Sequence, residues 1–572
     1  MTPANKDDKA DGCSRPWLPF VVIIAASALA HLWCLGSRFY MDDFPQIRDG
    51  LPVLRGDIFY PVTNTWTNLW YFILARFFGV SPVAFHAMNW LIHTGVALSL
   101  FVLARDLVAG RNSRGVALFA ALLFAVHPLA SEIPNYARTQ DLAWVTLFSL
   151  LAGWFLLKAI RGGGWLAILA CGSCVLGAGF SKGPGFFHAF MACAAIGLGF
   201  MEPATRQFLR KRGAWIAAAF VGVFGILWIT GRLDPYIAAT RLWSEPRFTG
   251  HAYTLSRVFW EFAWRAVLPL KLCSDHLITE TLVPRGTGFW TIPDKDAMIA
   301  MAGQLAFAAF ALALAFRKST RLIGICLFLF VATMLVRVLY LIPEFMPEYR
   351  IYPGLPWFCL AAAIVLSSGW KYLFETLSPV VPAILLLTGF AAMSANRSLV
   401  WHGLNRLTTD VLRQYPARAR ALWEMNDRDL ETGNYQAIID RQGKLWPGIE
   451  QRFITENQRL APAREIPSGD FVLSMVAIFG RYARAVAHQS GNPASGIAVM
   501  KRLEAHMTQL GMTPENKALE WGYFYHDMGL LHEMAGNYPA AVEWMRKPMP
   551  PFWPQDRARV EKKFAEMPKP GS

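Results

Sequence analysis

Apolar runs as long as a bilayer is thick recur through the first two thirds of the chain, and nothing else in the sequence constrains its fold as tightly. A lipid-embedded helix needs about 20 apolar residues. Inside lipid a lone segment must satisfy its own backbone groups, which restricts it to a helix. Runs of this kind lie at 17–36, 84–104, 115–131, 141–158, 164–181, 184–201, 213–231, 297–316, 322–341, 351–370 and 377–394, giving about eleven spans at that length. Composition agrees, with 54% of residues hydrophobic and 17% charged, where a soluble domain has about a quarter charged. The first run, Trp17 to Leu35, is long enough to remain as an anchor rather than a cleaved signal.

The connections between runs assign the two sides. Alternate loops carry Arg105, Arg111 and Arg114, then Lys158 and Arg161, then Arg206, Arg210, Lys211 and Arg212, then Arg317, Lys318 and Arg321, then Lys371. Cationic loops stay cytoplasmic, which places the N terminus inside and the C terminus outside. The same clustering accounts for the net charge of +15 without nucleic acid, for which no recognition motif is present. Residues 256–272 are apolar but carry Arg257, Glu261, Arg265 and Lys271, so they read as an interfacial or half-inserted helix on the outer side. The outer connections are then 37–83, 132–140, 182–183, 232–296 and 342–350, and they hold nearly all the polar residues suited to chemistry. Cys171 and Cys174 form a C-x-x-C among Leu, Ala and Gly, where helix packing explains them better than redox or metal chemistry.

Beyond about residue 400 the long apolar runs stop and polar helical periods begin. GNYQA at 433–437 and GNYPA at 536–540 resemble each other, and Tyr525, Gly529, Gly536, Tyr538 and Ala541 fall at tetratricopeptide spacings. A plain helical cap is the simpler alternative. The expected fold is all-α: a cytoplasmic tail at 1–16, a polytopic membrane domain at 17–398, and a soluble helical tetratricopeptide-like domain at 399–572.

Asp42 and Asp43 follow the first span directly, where a carboxylate pair at a membrane surface needs a reason. Arg138, Lys182 and Arg350 lie at or beside the ends of later spans, also on the outer side. Each reads either as an interfacial snorkelling residue or as a phosphate ligand. His127 and Glu132 flank another outer connection, and Tyr349 and Tyr352 flank Arg350. His86, Asn89 and His93 share one helical face. Polar residues within a span usually face inward and bond one another, so these read as structural, and no metal is called for.

YPVTNTW at 60–66, FHAMNWLIH at 85–93, HPLASE at 127–132, Arg138, SKGP at 181–184 and EYRIYPGLP at 348–356 form an ordered series. Across most of residues 37–450 it resembles the transmembrane and tetratricopeptide repeat-containing O-mannosyltransferases and their bacterial relatives, within the GT-C glycosyltransferases. Family members often carry an acidic residue after the lysine, whereas Gly183 follows Lys182 here.

The resemblance implies a polyprenyl-phosphate-linked sugar donor and an inverting transfer to a hydroxyl, on Ser or Thr of an exported protein, at a bacterial inner membrane with the C-terminal domain periplasmic. An acidic residue in the first outer loop serves as general base, here Asp42, with Asp43 orienting it or the roles exchanged. Arg138, Lys182 and Arg350 would meet the leaving phosphate. Glu132, His127, Tyr349 and Tyr352 would contact substrate. The sequence also permits a glycolipid or polysaccharide acceptor, a lipid-linked sugar flippase, or a structural assembly factor. The clear internal repeats and broken helices of many transporters are not evident, and an assembly factor would leave the outer acidic and cationic residues unexplained.

Overall fold

The computed structural model describes residues 15–43, 64–108, 112–199, 246–276, 295–338, 346–373, 378–415, 418–444, 469–548 and 554–567, with isolated positions between them. Every regular element among the described residues is a helix. The bundle comprises α1 (Leu18–His31), α2 (Thr65–Phe78), α3 (Pro82–Leu107), α4 (Ser113–Ala125), α5 (Gln140–Ile160), α6 (Gly164–Ser181), α7 (Gly185–Gly199), α8 (Pro246–Val267), α9 (Lys295–Phe316), α10 (Arg321–Val338), α11 (Leu355–Leu373) and α12 (Val380–Val400). Short connections force neighbours such as α5 and α6, or α9 and α10, to lie antiparallel. Helix α5 packs on α3, α6 and α7; α11 packs on α4 and α10; α1 packs on α12. Small residues at Ala117, Ala120 and Ala121 let α4 sit deep, and Leu100, Phe101, Phe124, Phe330 and Tyr352 fill the core around it.

Among the described residues, six helical segments are long and apolar enough to cross a membrane: Leu18–Gly36, Pro82–Leu107, Ala137–Ile160, Gly164–Ser181, Lys295–Phe316 and Val380–Val400. A seventh is a pair, Ser113–Ala125 and Pro128–Asn135, bent by 53°. Gly185–Gly197, Arg321–Met334 and Leu355–Trp370 are apolar but shorter, and the run at 213–231 lies almost wholly outside the described residues. Against the expected eleven spans, the described residues thus show six full-length helices and one bent pair, with three further apolar helices that are shorter. The amphipathic segment 256–272 falls on α8, which is not among the long apolar helices. It buries Leu255, Val258, Phe259 and Phe262 and leaves Trp260 and Trp264 exposed. The expected loop 37–83 contains helix α2, whose Trp70 stacks on Trp144 of α5 with ring centroids 5.7 Å apart.

The bend has a local cause. Pro128 lacks an N–H and pushes His127 into an extended conformation, so α4 cannot continue. The broken backbone leaves carbonyls without helical partners, which is costly away from water. Side chains from α3 meet them. His86 Nδ1 lies 3.0 Å from the Pro134 oxygen, Asn89 Nδ2 donates to Ile133 at 2.8 Å and to Tyr136 at 3.0 Å, and His93 Nε2 lies 3.2 Å from the Ala125 oxygen. Ser394 of α12 donates to Val126 at 2.8 Å. The polar face at His86, Asn89 and His93 thus braces a broken segment, in the structural role expected of it. Cys171 lies 3.9 Å from Cys193 of the next helix, and each described cysteine is a free thiol.

After α12 the chain forms α13 (Leu404–Gln414) and α14 (Ala419–Glu431) and then further helices. Three helical hairpins follow one plan: α14 with residues 435–444, Gly469–Ser490 with Pro493–Gln509, and Ala518–Met534 with Tyr538–Arg546. Each turns at a Gly-Asn pair whose glycine has positive φ, at Gly433 (+73°), Gly491 (+64°) and Gly536 (+68°). The middle turn is a third copy of the Gly-Asn signal, disguised because Pro493 replaces the tyrosine. Gly529 permits close packing in the last hairpin, since a Cβ there would come within 2.8 Å of Met545.

Candidate active site

Helix direction brings the described connections at 37–43, 132–140, 182–184 and 346–354 to one end of the bundle. The C-terminal ends of α1, α6, α8 and α12 meet the N-terminal ends of α3, α5, α7 and α11 there, and hydrogen bonds tie these ends together. Tyr40 Oη donates to the Trp401 carbonyl at 2.8 Å, Ser37 Oγ donates to Asn135 at 3.1 Å, Asn135 Nδ2 donates to Ser398 at 2.9 Å, and Thr67 Oγ1 donates to Ser181 at 3.0 Å.

The two adjacent acids of the first connection have different surroundings. Asp43 is fully buried. Its Oδ1 accepts from the Arg138 N–H at 2.7 Å and its Oδ2 from the Tyr40 N–H at 3.0 Å. Burial pushes its carboxyl up to about 7, while the N–H donors of Tyr40, Arg138 and Ala137 and the Arg138 charge pull it down. Asp42 instead has a side chain 44% exposed, with its backbone N–H held by Tyr136 Oη at 3.2 Å. Met41, just before it, has φ +49°, a left-handed conformation that costs a non-glycine residue about 1–2 kcal/mol. The turn therefore holds Asp43 inward as an anchor and presents the preceding Asp42 outward.

Beside this turn stands a cluster built on Asp141, which is 1% exposed. Its Oδ2 accepts from Arg138 Nη1 at 2.9 Å and from Lys182 Nζ at 2.7 Å, and its Oδ1 from the Leu142 N–H at 2.6 Å. Two part-exposed cations thus share one buried carboxylate. Burial lowers the Lys182 ammonium to about 8, with the Arg138 and Arg350 charges adding to the shift and Asp141 opposing it. Lys182 has no acidic neighbour in sequence but does have one in space. Asp141 was missed because it opens an apolar run. The available signal was a carboxylate at the edge of a span, three residues after an arginine, which requires a buried cation.

Glu132, 3% exposed, accepts from the Tyr349 N–H at 2.8 Å and so fixes the turn before α11. Arg350 lies over the Tyr349 ring at 5.3 Å, and Tyr349 packs edge-on against Tyr136 at 6.1 Å. The structure brings Asp42, Asp43, Arg138, Lys182, Glu132, Tyr349 and Arg350 to one region. It does not bring His127 or Tyr352 there. His127 is fully buried, with Nε2 3.0 Å from the Ala266 oxygen and Nδ1 accepting from the Leu129 N–H. Tyr352 is fully buried against His93, with Oη 2.8 Å from Nδ1.

A cleft with about 390 Å³ of empty space, its open mouth included, is lined by Met41, Glu132, Tyr136, Asp275, His276 and Tyr349 from the bundle side. Arg418 and Arg420, at the start of α14, complete its wall. Arg418 grips Asp275 with two parallel bonds of 2.8 and 2.5 Å, and Arg420 Nη2 lies 4.0 Å from Asp42 Oδ1. Glu348 accepts from the Cys273 N–H at 2.6 Å and meets Nε2 of His276, one of the lining residues, at 2.8 Å. No local pattern in the sequence announced the arginines, because they arrive only through the docking of α13 and α14.

The fold and site together define an all-helical protein with membrane-length apolar helices and a buried charge cluster beside an open polar cleft. The chain is similar to a protein O-mannosyl-transferase of Caenorhabditis elegans, at 26% identity over 173 residues that cover 26% of this chain and 24% of the relative. The chain thus spans about a quarter of the length of the curated relative it matches. No family model matches the chain, and no solved structure matches it.

Proposed function

We propose that this protein is a GT-C-type glycosyltransferase that moves a sugar from a polyprenyl-phosphate carrier to a hydroxyl of an exported protein, at the non-cytoplasmic face of a membrane. The convergence of an exposed carboxylate and three cations at one end of an apolar bundle carries this reading. Asp42 takes the proton of the acceptor hydroxyl as its oxygen attacks the anomeric carbon. The bond from that carbon to the phosphate oxygen breaks with its electron pair, and the configuration inverts in this single displacement. Negative charge grows on the phosphate oxygens, where Arg138, Lys182 and Arg350 stabilise it. Asp141 holds two of these cations in place before the donor arrives, so little reorganisation is needed during the reaction. The relative named as an O-mannosyl-transferase supports glycosyl transfer and a protein acceptor. The cationic loops at the opposite end support the orientation, and the C-terminal hairpins offer a tetratricopeptide-like surface for the acceptor.

The test is a reconstituted assay with labelled polyprenyl-phosphate sugar and a Ser/Thr-rich protein acceptor. The wild-type chain should transfer label to the acceptor, and Asp42→Asn should lower turnover by ~10²–10⁴-fold while the protein still inserts and folds. Full activity in Asp42→Asn would remove Asp42 as the base. Movement of labelled donor across the bilayer without product would indicate a flippase.

A further inference from the structure

We propose that Arg420, from the C-terminal segment, is a positioning residue for Asp42, which makes α14 part of the catalytic unit. The inference rests on the proposed glycosyl transfer and on the juxtaposition of these two side chains across the cleft.

The backbone at Asp42 is held firmly. Asp43 is anchored inward by N–H donors, Tyr136 Oη holds the Asp42 N–H, and Met41 occupies a left-handed conformation. The Asp42 side chain is less constrained. It is 44% exposed and has two torsions to fix before its carboxylate can meet a hydroxyl proton. Among the described residues, Arg420 faces it at 4.0 Å.

Arg420 is itself directed by its surroundings. Two residues earlier, Arg418 forks onto Asp275 and fixes the start of α14 to the bundle. One helical turn later, Glu424 Oε1 lies 3.9 Å from Arg420 Nε and draws the guanidinium along the helix surface. Gln414, at the end of α13, donates to the Leu272 carbonyl at 2.8 Å, and Tyr415 Oη lies 3.1 Å from His276 Nδ1. Four separate contacts thus carry one arginine over the outward-facing acid.

An ion pair this long and this exposed contributes little to stability. Its effect is on direction, because misplacing a catalytic group by about 1 Å costs as much as 10²-fold in rate. Stability and turnover should therefore separate.

The experiment uses the full chain in lipid nanodiscs, with labelled polyprenyl-phosphate sugar and a Ser/Thr-rich acceptor. Arg420→Gln should lower kcat by about 10–100-fold, with KM for donor and acceptor and the unfolding temperature unchanged. Arg420→Lys should recover much of the loss, and added guanidinium salt should raise the turnover of Arg420→Ala above that in an equal concentration of sodium salt. A raised acceptor KM at unchanged kcat would overturn the proposal and make Arg420 an acceptor ligand. Wild-type kcat in Arg420→Gln, or a loss that neither lysine nor guanidinium relieves, would overturn it too. Each of those outcomes leaves glycosyl transfer standing. Absence of any wild-type transfer would instead sink the enzymatic reading, and this inference with it.

Discussion

The two ends of the helical bundle contain the same kinds of charged residue and treat them in opposite ways. At the end where α5 begins, Asp141 and Asp43 are buried, and their partners are fixed by short hydrogen bonds from other segments. At the end where α5 finishes, Lys158, Arg161, Arg317 and Lys318 are exposed. Some contacts there are local: Arg105 pairs with its neighbour Asp106 at 3.1 Å, and Lys158 lies over Trp154 at 4.0 Å. Charge in water is nearly free to place, and the topology proposed above would draw on it there. Buried charge costs several kcal/mol per ion unless geometry compensates, so it persists where a fixed arrangement is needed. The difference supports the proposed site at the first end more sharply than residue type does.

Removing the buried anchor tests this most severely. Asp141→Asn leaves Arg138 and Lys182 together without their shared anion. By the usual cost of breaking a buried pair, the protein should lose about 3–5 kcal/mol of stability, measurable as a lower unfolding temperature in detergent. Turnover should fall as well, because the two cations would repel each other and leave their positions. An Asp141→Asn protein as stable as the wild type would mean that the burial at this end carries no organising role.

A smaller effect separates the cations from their anchor. Lys182 is held down to about 8, chiefly by burial. Its charged form exists below that value, so turnover should fall as pH rises through about 8. Lys182→Arg keeps the charge at higher pH and should remove this alkaline limb from the pH–rate profile. Lys182→Met should weaken phosphate stabilisation at every pH, by about 10²-fold in kcat. An unchanged alkaline limb in Lys182→Arg would assign it to another group.

How much of this was legible follows from which signals are local. The apolar runs at 164–181 and 84–104 match helices closely, because a bilayer-length pattern is written in consecutive residues. Asp42, Arg138, Lys182 and Arg350 stood out as candidates because each sits at the edge of such a run, where charge needs a reason. The 53° bend at Pro128 was not anticipated, since the apolar pattern continues smoothly across it. His127 looked exposed at a loop edge, yet the bend folds it inward onto the Ala266 carbonyl. Arg418 and Arg420 lay beyond sequence reasoning altogether, because their place depends on contacts with residues some 140 or more positions away. The Gly491-Asn492 turn could have been found by searching for the Gly-Asn pair alone and ignoring the tyrosine.

The mildest change falls at the opposite end of the bundle and is the control for the rest. Asp106 accepts from Trp154 Nε1 at 2.9 Å and from Arg105 Nε at 3.1 Å, with side chains 20% and 43% exposed for Asp106 and Arg105. Asp106→Asn keeps an acceptor oxygen for the indole N–H and surrenders only a solvent-screened ion pair. The Arg161 bond goes to the Asp106 backbone carbonyl at 2.8 Å and is untouched by the substitution. Stability should therefore change by less than about 1 kcal/mol, and turnover should stay within about twofold, because distant sites without shared partners act independently. Measured beside Asp141→Asn in the same detergent and assay, the two acids should differ by several kcal/mol. If Asp106→Asn instead reproduced the loss of turnover seen at Asp141, the two ends would be coupled through the bundle, and the burial of charge at one end would no longer mark where the reaction takes place.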